Sequence, residues 1–136
     1  MLQAMNTGHE GSMTTIHANN PRDAMKRLEQ MVGMAGLPVT IASIRSQIAS
    51  AIHLVVQLQR LADGRRRVVS IGEITGMEGD IIQMQELYRF VKEATDEKGQ
   101  VQGSFRATGV RPSFLTELKH FGIQLPSSHF EPGRPL

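Results

Sequence analysis

Two histidines lie close together in a stretch rich in glycine and hydroxyl side chains. The stretch covers residues 7–19 and reads Thr-Gly-His-Glu-Gly-Ser-Met-Thr-Thr-Ile-His-Ala-Asn. A neutral imidazole can donate a hydrogen bond to a phosphate oxygen or orient a water molecule. His17, at the end of a run with strand character, is the sharper candidate for this chemistry, and His9, in a loop flanked by glycines, is the weaker one. The alternative is a histidine whose hydrogen bonds are satisfied by backbone groups.

The motifs of several catalytic sites are absent from the sequence. It contains no Gly-x-x-x-x-Gly-Lys-[Ser/Thr] loop, no Gly-x-Ser-x-Gly elbow and no His-Glu-x-x-His. The five histidines, at positions 9, 17, 53, 120 and 129, lack the short spacing of paired metal ligands, and there is no cysteine. The sequence therefore predicts neither a phosphate-binding loop of its own nor a metal site.

The composition is that of a soluble globular domain. The chain has 136 residues, of which 40% are hydrophobic and 21% charged. Aromatic residues make up only 4%, so a stacking platform for single-stranded nucleic acid is poorly supplied. No apolar run approaches the roughly 20 residues that a membrane span needs, and no export signal is recognisable. We expect a soluble protein without a membrane span.

The strongest cluster of positive charge is Arg65-Arg66-Arg67, directly after the Asp63-Gly64 turn. Three cations are few for a surface that follows a phosphate backbone, and the net charge is only +2. A solvated hairpin end is therefore the favoured interpretation. A small nucleic-acid-binding protein is the third-ranked hypothesis for the whole chain.

Helical periodicity dominates the first part of the chain. A short strand is predicted at 13–17, and a helix then begins at Asn20-Pro21, with Asn as the N-cap and Pro in the first turn. The Gly-Leu-Pro at 36–38 ends it. A second helix comes next, since apolar residues recur on one side of it: Ile41, Ile44, Ile48, Ala51 and Ile52.

After residue 53 the period changes to two, which predicts an antiparallel meander. Its strands are expected at 54–59, 68–74 and 81–85, and 88–91 continues the third. The first is interpreted as half-buried because two sets of side chains alternate along it: Leu54, Val56 and Leu58 against Val55, Gln57 and Gln59. The composition turns polar between 93 and 103, and residues 96–100 are predicted to form an exposed loop. A last short helix is expected from Arg111-Pro112 to Gly122, and the tail after Pro126 is expected to be frayed.

The stretch 7–19 resembles the histidine box of the ATPases of type II and type IV secretion systems. Later blocks agree with the same family: Ala-x-x-Arg-Leu at 24–28, Arg-x-Gln-Ile-Ala at 45–49, Arg-x-x-Asp-Gly-x-Arg at 60–66, Glu-Ile-Thr-Gly-Met-Glu-Gly-Asp at 73–80 and Ala-Thr-Gly-Val-Arg-Pro at 107–112. The resemblance spans residues 1 to about 130. It is closest to the CpaF/TadA branch, which powers assembly of tight-adherence (Flp) pili.

This resemblance implies a fold and an assembly. The fold is the C-terminal part of a RecA-like P-loop NTPase core, a parallel sheet with helices, followed by the antiparallel meander and the short C-terminal helix. Residues 1–126 would form this part, and 127–136 an irregular tail. The family implies a cytoplasmic homo-hexamer that binds ATP and Mg²⁺ between subunits. Its partners would be platform proteins of the inner membrane, at which it is peripheral.

The resemblance also implies roles for single residues. His17 would sense the γ-phosphate or position the attacking water, with Thr7, Gly8, His9 and Thr15 near the nucleotide. In the family the Walker A loop, the aspartate box and the Walker B segment all precede the histidine box, and this chain resembles only the part of the family that begins at the histidine box. We therefore expect the chain alone to bind no nucleotide strongly and to hydrolyse none. The alternative function is a non-catalytic interaction module that packs on, or regulates, full-length ATPase subunits.

Overall fold

The computed structural model describes residues 11–36 and 38–136. Their elements are two helices, four strands, a third short helix and a 3-10 turn. In chain order they are α1 (Pro21–Gly33), α2 (Ile41–Ala51), β1 (Leu54–Arg60), β2 (Arg66–Glu78), β3 (Ile81–Thr95), β4 (Val101–Ala107), α3 (Leu115–His120) and the 3-10 turn Ser127–Phe130. The predicted mixture of helices and strands is confirmed.

Helix α1 begins where its capping residues predict. The Asn20 side chain accepts a hydrogen bond from the Asp23 backbone N–H at 2.8 Å, and Pro21 supplies the first helical residue, whose missing N–H costs nothing there. The Met34 N–H bonds to the Gln30 carbonyl at the other end. These local contacts fix both ends of the helix.

Helix α2 is likewise capped from its own sequence. The Thr40 hydroxyl accepts a hydrogen bond from the Ser43 backbone N–H at 3.1 Å. Ile44, Ile48 and Ala51 are buried, in the spacing of one helix face. The second predicted helix is therefore confirmed, and its apolar side is buried except at Ile41, which is exposed at the start of the helix.

The four strands form one sheet in the order β1-β2-β3-β4, the antiparallel meander that was predicted. The described sheet contains no parallel pair, so the parallel sheet of a RecA-like core is not among the described elements. The strands are longer than predicted. β2 continues through 76–78, and β3 runs without a break from Ile81 to Thr95.

The exposed loop predicted at 96–100 is confirmed as the turn between β3 and β4. Strand β4 itself was not predicted; its start pairs with the end of β3 in the register Thr95↔Val101. The Asp96 carboxylate closes the turn, because it accepts hydrogen bonds from the Lys98 and Gln100 backbone N–H groups at 3.0 and 2.8 Å.

One expectation about strands is corrected. Residues 13–17 form no strand, since no described strand lies beside them to supply ladder hydrogen bonds. The half-buried strand predicted at β1 is confirmed, and its more apolar side faces outward. Leu54, Val56 and Leu58 are 46%, 48% and 58% exposed, whereas the alternate residues Val55 and Gln57 are half-buried.

The chain divides into two compact units. The first comprises the described residues up to Val55 together with Ile74–Met84, and the second comprises Val56–Glu73 and Gln85–Leu136. The first core consists of Ala24, Met25, Ile44, Ile48, Ala51, Ile74 and Ile82. The second consists of Leu87, Tyr88, Ala107 and Phe130.

The tail is ordered along β4 and not frayed as predicted. Phe130 is buried in the second core, and the Tyr88 hydroxyl donates a 2.7 Å hydrogen bond to the His129 carbonyl. Farther on, the Ala107 N–H bonds to the Arg134 carbonyl at 3.0 Å, and the Leu136 N–H to the Phe105 carbonyl at 2.9 Å. The assignment of 127–136 as a separate tail stays a prediction. Among the described helices, none has the length and apolar character to cross a membrane.

The first core depends on Ile48, which is fully buried. Ile48→Ala is expected to lower the free energy of unfolding by about 2–5 kcal/mol, because it removes buried methyl groups and leaves a cavity. Ile41→Ala on the same helix is the matched control: Ile41 is 62% exposed, and its truncation should cost less than about 1 kcal/mol. Urea denaturation of both variants measures the difference. Equal losses would contradict the burial pattern.

Candidate functional site

The side chain of His17 is exposed, while the residues immediately before and after it are packed against the first core. Ile16 and Ala18 are half-buried and pack against the first core, whereas Thr15 and His17 are exposed. This alternation of burial places Thr15 and His17 on the outward side of the chain. Both residues that the sequence singled out therefore face solvent next to each other.

The backbone of His17 is held by helix α1. Arg27 Nη1 donates a hydrogen bond to the His17 carbonyl oxygen at 3.2 Å. The Asn20 cap, three residues after His17, fixes where the segment enters α1. Sequence analysis did not predict this contact of Arg27. Its partner is a backbone carbonyl ten residues away, and such a contact leaves no pattern of residue types in the sequence. The imidazole itself forms no hydrogen bond with the residues that the structure describes.

Three of the predicted nucleotide-proximal residues, Thr7, Gly8 and His9, lie outside the described residues. Their role stays a prediction. Within 11–36 and 38–136, no group of three or more His, Cys, Asp or Glu side chains is arranged to hold a metal ion.

The first unit also contains a small cleft with a volume of about 160 Å³. Its lining residues come from α1, α2, the β2–β3 turn and the start of β3: Arg22, Met25, Lys26, Glu29, Arg45, Asp80, Ile81, Ile82 and Met84. Neither Thr15 nor His17 is among them.

Two arginines of this cleft attach the β2–β3 turn to the helices. Arg45 forms a 2.9 Å ion pair with Glu29 and donates a 3.0 Å hydrogen bond to the Asp80 carbonyl. Arg22 donates to the Ile82 carbonyl at 3.1 Å. Both guanidinium groups are thus committed to contacts within the unit, and the structure explains the cleft as packing.

Glu73 is the most buried charged residue of the second unit, at 3% exposure. Both its carboxylate oxygens accept the Ser113 backbone N–H, at 3.1 and 3.0 Å, and Oε1 also accepts the Ser113 hydroxyl. Burying a carboxylate is costly unless it is hydrogen-bonded, and Ser113 supplies those bonds. Glu73 therefore fixes the segment that leads into α3, a role that sequence analysis missed; a lone acid within an apolar strand was its only signal.

Asp63 connects the β1–β2 turn to the start of β4. Its carboxylate accepts hydrogen bonds from the Val101 and Arg65 N–H groups, both at 3.0 Å, and from Arg67 Nη2 at 3.1 Å. These donors, the Val101 N–H foremost, hold the pKa of Asp63 below its usual value.

Arg67 differs from its two neighbours in the arginine cluster. Its guanidinium also donates to the Val101 carbonyl at 3.0 Å and lies 5.3 Å from the centre of the Phe90 ring. Arg65 and Arg66 are exposed, as a solvated hairpin end predicts. The cluster thus splits into one structural and two surface residues.

Comparison with known proteins identifies the family. Residues 1–111 match the family described as "Type II/IV secretion system protein", and the chain belongs to it. A putative conjugal transfer protein of Mycobacterium tuberculosis is 38% identical over 81 residues, which cover 60% of this chain and 22% of that protein. The conjugal transfer protein TrbB of Rhizobium radiobacter is 37% identical over 79 residues, 58% of this chain and 22% of that protein.

These matches confirm the secretion-system family that the histidine box predicts. The matched stretch spans only 22% of the length of each of these relatives. The CpaF/TadA branch stays a prediction.

Asp63 gives the stability of the second unit a pH dependence. Because its pKa is lower in the folded state than the ordinary 3.8, its contribution is present above that value and is lost as the pH falls through the folded pKa. Asp63→Asn should therefore lower the melting temperature at neutral pH, and the gap to wild type should shrink below about pH 4. Asp80→Asn, at an exposed turn, is the control. A gap that does not change between pH 7 and pH 2.5 would contradict this role.

Proposed function

We propose that this chain is the C-terminal part of an ATPase core of a type II/IV secretion machine, and that His17 contacts the γ-phosphate of ATP or positions the attacking water. The observation that carries the proposal is the family match over residues 1–111, which includes the histidine box. The outward position of His17 between two anchored neighbours supports it.

A histidine that assists phosphoryl transfer must be held in a fixed position relative to the reacting phosphate. Catalysis in this class of reaction comes from positioning and from electrostatic stabilisation of the charge on the transferred phosphoryl group. A donor is effective only if it is already held in place before the charge develops. The Arg27 hydrogen bond to the His17 carbonyl and the packing of Ile16 and Ala18 provide that support, while the imidazole remains available to a ligand.

In this proposal the nucleotide is bound jointly by this chain and by other segments of the family's ATPase core. The chain contains no Walker A loop, so ATP and Mg²⁺ would be bound by a P-loop segment of the family, with Thr15 and the 7–9 loop beside His17. In this proposal the complete core is RecA-like and assembles as a cytoplasmic homo-hexamer at the inner membrane, where platform proteins receive the force. The M. tuberculosis and R. radiobacter relatives are named for conjugal transfer, and the CpaF/TadA resemblance points to Flp pilus assembly. Conjugal transfer and pilus assembly both move a macromolecule by means of a secretion-type machine.

The test compares the chain with a fusion that places the Walker A and Walker B segments of a family member in front of it. The 136-residue chain alone should release no phosphate from ATP above background, because it has no phosphate-binding loop. The fusion should hydrolyse ATP, and His17→Ala should lower its kcat by about a hundredfold, the usual loss when one transition-state donor is removed. Phosphate release with and without nucleotide analogues measures both.

His120→Ala is the matched control, since His120 is an exposed histidine on α3 and should leave kcat unchanged. Arg27→Ala should reduce kcat less than His17→Ala, because it loosens the backbone but keeps the imidazole. Unchanged hydrolysis in His17→Ala would refute the assigned role. A chain that alters hydrolysis by full-length subunits, whether or not His17 is present, would instead identify the non-catalytic interaction module.

A further inference from the structure

The β1–β2 hairpin of the second unit exposes apolar side chains and arginines side by side. We call this the hairpin surface, and its residues are Val56, Leu58 and Val68 with Arg60 and Arg66 of the two strands and Arg65 of the turn that joins them. We propose that the hairpin surface binds an extended segment of a partner protein in which acidic residues adjoin apolar ones, and that this segment pairs with the outer edge of β1. The proposal concerns a docking site and goes beyond the ATPase function.

The apolar part of the hairpin surface is contiguous. The Leu61 N–H bonds to the Arg65 carbonyl at 2.9 Å, which sets the two strands opposite each other so that Leu58 faces Val68. Val56 lies on the same side of β1 as Leu58, two residues away. Their exposed fractions are 48% for Val56, 58% for Leu58 and 36% for Val68. Adjoining exposed aliphatic side chains of this kind mark contact sites more often than single ones do.

β1 is also the open edge of the sheet. β4, at the other edge, is bordered by the chain's own tail through the Arg106↔Pro135 bridge. No described strand or bridge pairs with the outer side of β1. The register set at Leu61 turns the backbone groups of Val56 and Leu58 outward, and the Leu58 carbonyl accepts a 3.3 Å bond from the neighbouring Gln57 amide.

This edge lacks the usual protection against pairing. Edge strands are commonly blocked by inward charges, prolines or bulges, yet residues 54–59 contain no charged residue and no proline. An incoming extended segment can therefore add main-chain hydrogen bonds, and its alternate side chains would lie beside Val56 and Leu58.

The arginines specify the charge of the partner. Arg60, Arg65 and Arg66 are exposed, and no described carboxylate pairs with their side chains. Arg67, in contrast, is paired with Asp63. Three unpaired cations at one end of an apolar strip are complementary to a segment with carboxylates at the corresponding end, which favours both encounter and register.

Other occupants fit less well. Nucleic acid would gain three phosphate contacts but no aromatic stacking, and the aliphatic side chains would add nothing to its binding. Pairing of β1 with β1 of a second copy would bury the edge but leave Arg65 and Arg66 without carboxylates. Of these occupants, only the acidic and apolar segment would use the exposed aliphatic side chains, the open edge of β1 and the arginines together.

Fluorescence anisotropy with a labelled synthetic peptide tests the proposal. The probe carries three aspartates followed by alternating valine and threonine, and its matched control has lysines in place of the aspartates. The protein should bind the acidic probe and not the lysine probe. Arg65→Glu with Arg66→Glu should weaken binding about tenfold or more, since two attractive pairs become repulsive. Leu58→Thr should also weaken it, while Lys119→Glu, an exposed charge on α3, should leave it unchanged.

Hydrogen exchange of the unsubstituted protein supplies a readout that needs no variant. The acidic probe should slow exchange of the Val56 and Leu58 amides. Equal binding of both peptides, no binding, or protection elsewhere would overturn the proposal. Salt-sensitive binding of an oligonucleotide in preference to the peptide, unaffected by Leu58→Thr, would identify a nucleic-acid surface instead. Concentration-dependent self-association that Leu58→Thr abolishes would identify a second copy as the occupant.

Discussion

The packing of α1 on α2 is the constraint on which the candidate site depends. Ile44, Ile48 and Ala51 fill one side of the first core, and Ala24 and Met25 fill the other. Burial of a large aliphatic side chain contributes about 1.5–3 kcal/mol, far more than any single hydrogen bond near His17. The segment that carries His17 has no strand ladder of its own. Its order comes from α1 through Arg27 and from the core through Ile16 and Ala18.

Sequence predicted the features that are encoded locally. Asn20-Pro21 caps its own helix, and the spacing of Ile44 and Ile48 identified the buried side of α2 without reference to the rest of the chain. The family, too, was readable, because the histidine box is a contiguous motif. The predictions that failed were non-local. The strand expected at 13–17 and the frayed end expected for the tail depend on which residues lie beside them in the fold, and periodicity carries no such information.

The same distinction applies to the candidate site. His17 and Thr15 were identified from residue type and spacing, and the structure places both on the outer side of one segment. The contact of Arg27 with the His17 carbonyl, and that of Glu73 with Ser113 forty residues away, could not be predicted. A backbone carbonyl or N–H belongs to almost any residue, so no side-chain pattern marks the one that is used.

Two blocks that resemble the family are explained by structure more than by chemistry. Asp63, in the block 60–66, closes a turn and holds the start of β4, and Gly64 takes the positive φ of 80° that the turn requires. Glu73, in the block 73–80, binds the segment before α3. Acidic residues in an ATPase family suggest metal or water contacts, yet the carboxylates of both are occupied by protein donors. The imidazole of His17 in the histidine box, by contrast, forms no hydrogen bond with the described residues.

The manner in which His17 is held separates its chemistry from the stability of the fold. The protein holds the residue by its carbonyl and by its two neighbours, and the imidazole forms no hydrogen bond with the described residues. A group whose side chain were used for packing could meet a ligand only at the cost of that packing. Here the support and the imidazole are different atoms of one residue, so in the proposed role the support can remain intact when the imidazole binds a ligand. This is the arrangement that positioning before charge development requires.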